Sequence, residues 1–282
     1  PELVNRPRVQ KIWQQIERYF LPKVKHSLTV CQGIADYYKK LYNVDMPVVR
    51  NVPYYCYGKI AAEKFPFTDK QVILYQGALN VGRGLEWAIA AMQYVENAVL
   101  VIVGTGDVEQ QLKQQVTDCK LGDKVFFTGR ISPENLARYT PSASVGLCLM
   151  ENRGLSYYYS LPNRIFDFIH AGVPVLASDL PEMRNIITTY HTGILTDNNE
   201  PKHIAEKLKE LLNTTFDQQI FECAAKELCW EKEAETIIKT HRKRHKVHKL
   251  KFLYYLIAYC KLILFRINDY RICRGFAAPK DV

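Results

Sequence analysis

The stretch MENRGLSYYYSLPNRIFDFIHAGVPVLASDLPEM, residues 150–183, decides how the chain is read. It follows the apolar run ASVGLCL (143–149) and opens with a polar, aromatic-rich loop. A helix then starts at Pro162, Asn163 and Arg164, where proline suits the first turn, and its inward turn carries Asp167. Ala171 and Gly172 close that helix before the apolar run VPVLAS (173–178). Strand, loop, helix and strand in this order make a βα unit of a parallel sheet. A long irregular loop inside such a unit is the kind that binds a ligand.

The same alternation extends on both sides. VILYQG (72–77), AVLVIVG (98–104), KVFFTG (124–129) and TGILT (192–196) are further strands. Helical patterns cover 84–94, 107–119, 133–140, 162–171, 182–187 and 201–212. The expected fold is α/β, a Rossmann-like parallel sheet flanked by helices, with a C-terminal helical extension. Upstream, SLTVC (27–31), a helix over 34–42 and residues 47–52 suggest a smaller βαβ-like piece. The expected division is 1–53 as the remnant of a first domain with its crossing segment, 54–70 as linker, 71–229 as the Rossmann-like domain and 230–282 as a tail.

Composition sets the outer limits. With 48% hydrophobic and 24% charged residues over 282 positions, the chain is neither disordered nor collagen-like, and it is too long for a disulfide miniprotein. Its eight cysteines contain no CxxC and no Cys/His ligand spacing, which points away from zinc and toward a reducing cytoplasm. The net charge of +9 is local: ten Lys/Arg between His241 and Arg274 face Asp269 alone, so the globular body is neutral. A nucleic-acid surface on that body is therefore not expected. The sequence starts PELVN without Met, signal peptide or spanning segment and reads as a chain entered in mid-protein.

In an open parallel sheet, ligands sit outside the carboxyl ends of the strands, where helix N-termini offer unpaired N–H groups. The loop GALNVGRG (77–84) combines glycines, a helix start and the charge of Arg83, a combination suited to a diphosphate. A glycine-rich turn with a solvated Arg83 is the plain alternative. GTGD (104–107) is weaker, an ordinary turn with Asp107 as helix cap. Asp167, one turn into its helix, can accept a pair of ribose hydroxyls or simply complement the helix dipole.

Taken together, GALNVGRGLEWAIAAM, LVIVGTGD, KVFFTGRIS, SLPNRIFDFIHAGVPVLASDLPEM and TGILTDNNEPKHIAEKLKELL resemble the nucleotide-sugar-binding C-terminal half of a GT-B glycosyltransferase, most similar to glycosyltransferase family 4. The resemblance implies transfer from a UDP- or GDP-linked sugar to a glycan or lipid-linked acceptor, retaining and without metal or cofactor. It places the donor diphosphate on Gly77, Gly82, Arg83, Gly84 and Arg164, and the nucleobase on the loop Thr128, Gly129, Arg130 and Ile131. Ribose falls to Asp167, and the donor sugar to the loop Tyr159, Ser160, Leu161, Pro162 and Asn163, with Glu182 close by. Two positions depart from the family pattern: Ala78 stands where an arginine is usual, and Tyr159 where the first of two glutamates is usual. Acceptor and catalytic groups are expected in a first domain lying before Pro1, so the fragment alone should transfer little.

The tail, basic over 241–251 and then apolar over 252–265, has two readings. One is an interfacial anchor on an anionic membrane surface, which would make a cytoplasmic protein peripheral on the inner face. The other is a helix that packs back on the first domain. Competing functions are a nucleotide-sugar 2-epimerase, which would need paired acid and base groups among Glu151, Asp167 and Glu182, and a non-catalytic nucleotide-sugar-binding module.

Overall fold

A computed structural model describes residues 6–24, 26–66 and 70–242. Six parallel strands, β1 (Gln71–Gln76), β2 (Ala98–Val103), β3 (Val125–Gly129), β4 (Val145–Cys148), β5 (Val175–Ser178) and β6 (Gly193–Thr196), form one sheet in the order β3-β2-β1-β4-β5-β6. The helices are α1 (Pro7–Phe20), α2 (Gln32–Tyr42), α3 (Leu85–Ala91), α4 (Glu109–Asp118), α5 (Pro133–Tyr139), α6 (Leu155–Tyr158), α7 (Asn163–His170), α8 (Pro181–Tyr190), α9 (Pro201–Asn213), α10 (Gln218–Glu227) and α11 (Trp230–Arg242).

The central strands are apolar at nearly every position because both faces of the sheet are covered. On β1, Val72 and Leu74 enter one core while Ile73 and Tyr75 enter the other; on β2, Val99, Val101 and Val103 divide from Leu100 and Ile102 in the same way. Helices α5, α7, α8 and α10 contribute to the first core, and α3, α4 and α9 to the second. Chain order reverses between β1 and β4, which opens a crevice at their carboxyl ends. Gly146 helps to set its depth: a Cβ there would lie 2.5 Å from the Phe168 ring, so the glycine lets α7 settle directly on β4.

Elsewhere the sequence reading is corrected. The upstream βαβ-like piece contains α2, but its strands reduce to a single parallel bridge between Thr29 and Val48. Asp107 is not the cap of α4, whose N-cap is Val108 without a side-chain hydrogen bond. Helices α1, α6 and α10 are additional to the sequence-based set, α6 being a single turn inside the segment read as a loop. At the far end, α11 turns back onto the crossing segment: the Trp230 N–H donates to Pro53 O at 2.8 Å, and Glu233 receives both the Arg50 N–H (2.9 Å) and its Nε (2.7 Å). Trp230 and Ile237 pack with Val49. Most of the tail, residues 243–282, lies outside the described residues, so the anchor reading of 241–274 falls there. Among the described residues no helix is long and apolar enough to cross a membrane.

Candidate functional site

The crevice between β1 and β4 gathers the glycine loop, the aromatic loop and the start of α7. The glycine loop is held at its base, where Gly77 N–H donates to Val103 O (2.9 Å) and Tyr75 Oη donates to Ala78 O (2.8 Å). Further along, Gly82 and Gly84 take φ of +82° and +66°, a left-handed backbone that side chains resist. Gly82 O accepts from Glu151 N–H (3.0 Å), and Tyr157 Oη donates to Val81 O (3.3 Å), so the loops after β1 and β4 are tied together. The N-cap of α7 is Pro162, which supplies no side-chain hydrogen bond to the first turn.

Two guanidinium groups meet in this crevice. Arg83 Nη1 lies 3.3 Å and Arg164 Nη2 3.8 Å from the same Met150 Sδ. The structure thus brings both arginines together, but from different sides. Arg83 comes from the loop, whereas Arg164 is buried, donates through Nε to Leu147 O (3.1 Å) and stacks 4.6 Å over the Tyr75 ring. Its Nη1 is 3.4 Å from Tyr75 Oη, the hydroxyl that holds Ala78 O. Tyr75 Oη thus links Arg164 to the backbone of Ala78.

Asp167 lies one turn down α7, half-buried as a residue but with its carboxyl largely withdrawn from solvent, at the edge of a cavity of about 190 Å³ between residues 53–60, α5 and α7. Its Oδ2 accepts from Gln76 Nε2 (3.1 Å), and Gln76 Oε1 in turn accepts from Thr140 Oγ1 (3.0 Å). Burial pushes the carboxyl up to about 7, against the opposing pull of the Gln76 hydrogen bond and the Arg164 charge. Next to it, His170 is held below its ordinary pKa, chiefly by burial. The neutral ring fits a tautomer in which Nε2–H donates to Leu228 O (2.9 Å) and Nδ1 accepts from Cys56 N–H (3.4 Å).

The remaining sequence candidates divide between the crevice and the upstream helix. Tyr159 packs its ring on Gly33, where a Cβ would lie 2.2 Å from Cδ1, and stands 6.4 Å from the Tyr37 ring. Glu182 is buried and its Oε1 accepts Gly33 N–H at 2.6 Å, capping the start of α2. Ser160 Oγ is buried with no hydrogen-bond partner, while Leu161, Pro162 and Asn163 are partly exposed. In the proposed base loop, Thr128 and Arg130 are exposed, Ile131 is partly buried, and Gly129 O accepts Gly104 N–H (2.8 Å). Gln76, Met150 and Gly33 were not marked by the sequence reading; a glutamine ending an otherwise apolar strand was the one available signal. The three carboxylates considered for an epimerase do not form a pair: Glu151 is 3.4 Å from Arg153 Nε, Asp167 engages Gln76 and Glu182 engages α2. Among the described residues no group of three His, Cys, Asp or Glu side chains could hold a metal ion.

Comparison with known proteins bears on the family and the fold. A family model described as "Glycosyl transferases group 1" matches residues 58–228. The GDP-mannose-dependent alpha-(1-6)-phosphatidylinositol monomannoside mannosyltransferase of Mycobacterium tuberculosis is 29% identical over 155 residues, covering 53% of this chain and 40% of that protein. The alpha-monoglucosyldiacylglycerol synthase of Streptococcus pneumoniae is 28% identical over 142 residues, covering 44% and 30%. Sucrose-phosphate synthase from Thermosynechococcus elongatus superposes with a TM-score of 0.66 at 19% identity, covering 81% of this chain and 60% of that one. The matched region is less than half the length of these two curated relatives.

Proposed function

Because the chain belongs to the glycosyl transferases group 1 family, we propose that it is the donor-binding part of a glycosyltransferase and holds a nucleoside-diphosphate sugar in the crevice between β1 and β4. The observation that carries this reading is the meeting of Arg83 and Arg164 at Met150 Sδ, beside the glycine loop and the first turn of α7. Two cations so close repel each other, and an anion placed against both relieves that repulsion. A diphosphate does this, and in glycosyl transfer the same charges stabilise the leaving group as its bond to the sugar breaks. The N-terminus of α7, where a helix presents the positive end of its dipole, adds to the effect. Charge neutralisation of this kind supports transfer without metal.

The finer assignments belong to the same proposal and follow the sequence resemblance. In this reading Asp167 accepts the ribose hydroxyls, the backbone of 128–131 lines the base, and Ser160 Oγ, buried with no hydrogen-bond partner, faces the donor sugar. Glu182 and Tyr159 act at the wall made by α2. Membership of glycosyltransferase family 4 and a retaining outcome accord with the sequence resemblance. The relatives' names point to a lipid-linked acceptor, bound by parts of the protein other than this crevice.

Calorimetric titration with UDP- and GDP-sugars, without added metal, tests the proposal. One nucleotide sugar should bind at micromolar concentration. Arg83→Ala should weaken it roughly ten-fold or more, the scale of a lost charge-assisted hydrogen bond. Asp167→Ala should weaken it as well. Silence across the panel, or unchanged affinity in both variants, would refute the assignment.

A further inference from the structure

From Val72 to Tyr75 β1 is apolar and buried, and it ends on Gln76, a polar residue that is buried as well. Burying an amide costs free energy unless its groups are hydrogen-bonded. Here both ends are engaged: Nε2 donates to Asp167 Oδ2 (3.1 Å) and Oε1 accepts from Thr140 Oγ1 (3.0 Å). The Thr140 hydroxyl has one proton and two acceptors within reach, Gln76 Oε1 and Leu136 O (2.8 Å). Its choice sets the amide. With the proton on the Gln76 side, the NH2 end faces Asp167 and favours the ionised carboxyl. With the proton on Leu136 O, the amide turns over, its NH2 meets the Thr140 oxygen, and its carbonyl faces an Asp167 that must carry a proton from solvent to complete the bond. Only the first arrangement leaves a full carboxylate for two ribose hydroxyls.

Other titratable and charged groups surround this carboxyl: Arg164 and His170 on α7, Cys148 on β4, and Cys56 and Tyr57 on residues 53–60. Leu136, Ala137, Thr140 and Pro141, which close the cavity on the α5 side, carry none. Burial holds His170 below its ordinary value, Cys148 up at about 11 and Tyr57 above the usual tyrosine value. None of these three titrates where Asp167 does, at about 7.

We propose that Gln76 is a positioning residue of the donor site: pinned by the Thr140 hydroxyl, its amide holds Asp167 ionised and aimed at the ribose, and turning of the amide withdraws that acceptor. This role rests on the assignment of Asp167 to the donor ribose; the hold of Gln76 on the carboxyl does not. The relay therefore couples the end of β1, the end of α5 and the first turns of α7 to nucleotide affinity.

The test uses the full chain and two readouts between pH 5.5 and 8.5. The carboxyl-carbon NMR resonance of Asp167, identified by its loss in Asp167→Asn, reports ionisation without nucleotide. Calorimetry with UDP-glucose and GDP-mannose reports affinity, and neither probe has a phosphate proton that titrates in this range. In the wild type both readouts should have a midpoint of about 7. Gln76→Leu should move both midpoints up by about one pH unit, the scale of a hydrogen bond to a charged group. Affinity should then fall roughly ten-fold at pH 6 and less than three-fold at pH 8.5. Gln76→Met, closer in shape, repeats the measurement should the leucine variant fold poorly. Thr140→Val should move the midpoints in the same direction, and Thr140→Ser, which restores the hydroxyl, should bring them back. An equal loss of affinity at every pH, with the Asp167 resonance titrating as in the wild type, would mean that Gln76 only fills space and would overturn the proposal. A shift in the Gln76 variants without one in Thr140→Val would overturn the part given to Thr140. If neither nucleotide sugar binds the wild type at any pH, the donor reading fails and this role with it, while the carboxyl resonance still shows whether Gln76 sets the ionisation of Asp167.

Discussion

At the residue scale, Asp167 makes stability depend on pH in an unusual direction. Its carboxyl titrates near 7 in the fold, whereas an unfolded aspartate titrates near 4. Between these values the native state binds more protons than the unfolded state, so stability falls as pH rises from about 4 to about 7 and the loss is complete above the folded pKa. Asp167→Asn removes this contribution. The difference in melting temperature between pH 5 and pH 8 should therefore be smaller in the variant than in the wild type; identical differences would disprove the raised pKa of this group. Donor affinity through an ionised Asp167 should rise over the same interval. Position alone marked Asp167 and Arg83, since one follows a helix start and the other sits in a glycine loop. Their partners were not visible, because Gln76 and Asp167 are 91 residues apart and Arg83 and Met150 are 67 apart, and no local pattern encodes such pairings.

At the element scale, α2 and α11 are docked by contacts that single substitutions can open. Gly33 allows the Tyr159 ring and the Glu182 carboxylate to close on the start of α2. A Cβ would stand 2.2 Å from Tyr159 Cδ1 and 2.7 Å from Glu182 Oε1. Gly33→Ala should cost about 1–3 kcal/mol, the range for overpacking, and should raise hydrogen exchange in α2 and in the 155–160 loop together. Exchange confined to α2 would show that the two are not coupled. For α11, Glu233 is 4% exposed and faces Arg50, itself 31% exposed. Arg50→Met should destabilise by about 2 kcal/mol, below the roughly 3–5 of a fully buried pair because Arg50 is partly solvated. Denaturant unfolding checks the magnitude, and Glu233→Gln in the same background should recover part of the loss. The sequence declared α2 and α11 as helices through their periodicity. It did not declare what Tyr159 and Glu182 touch, since both were read toward the crevice and the structure turns them to the wall that α2 provides.

At the scale of the whole molecule, the sheet was the most legible feature. Long apolar runs at 72–77 and 98–104 admit only strands covered on both faces, and their alternation with amphipathic helices leaves little choice but a parallel order. The upstream piece was less legible because its strands have no sheet to join, and a lone Thr29–Val48 bridge leaves no periodic signature. Charge is the other global property, and it separates the molecule into a neutral body and a basic segment over 241–274. Through Trp230, Glu231 and Glu233, α11 docks on residues 49–55, so the chain up to Arg242 carries its own attachment to the body. A chain ending at Arg242 should therefore keep its fold and its nucleotide-sugar affinity within two-fold. The full chain should bind vesicles rich in anionic lipid, with each lysine or arginine near the surface contributing about 1 kcal/mol, and the shortened chain should not. Raising salt should release the full chain, because the attraction acts over about a Debye length. Co-sedimentation at low and high ionic strength decides the matter: equal binding by the two chains, or binding by neither, would remove the membrane role from the basic segment and leave packing against protein as its purpose.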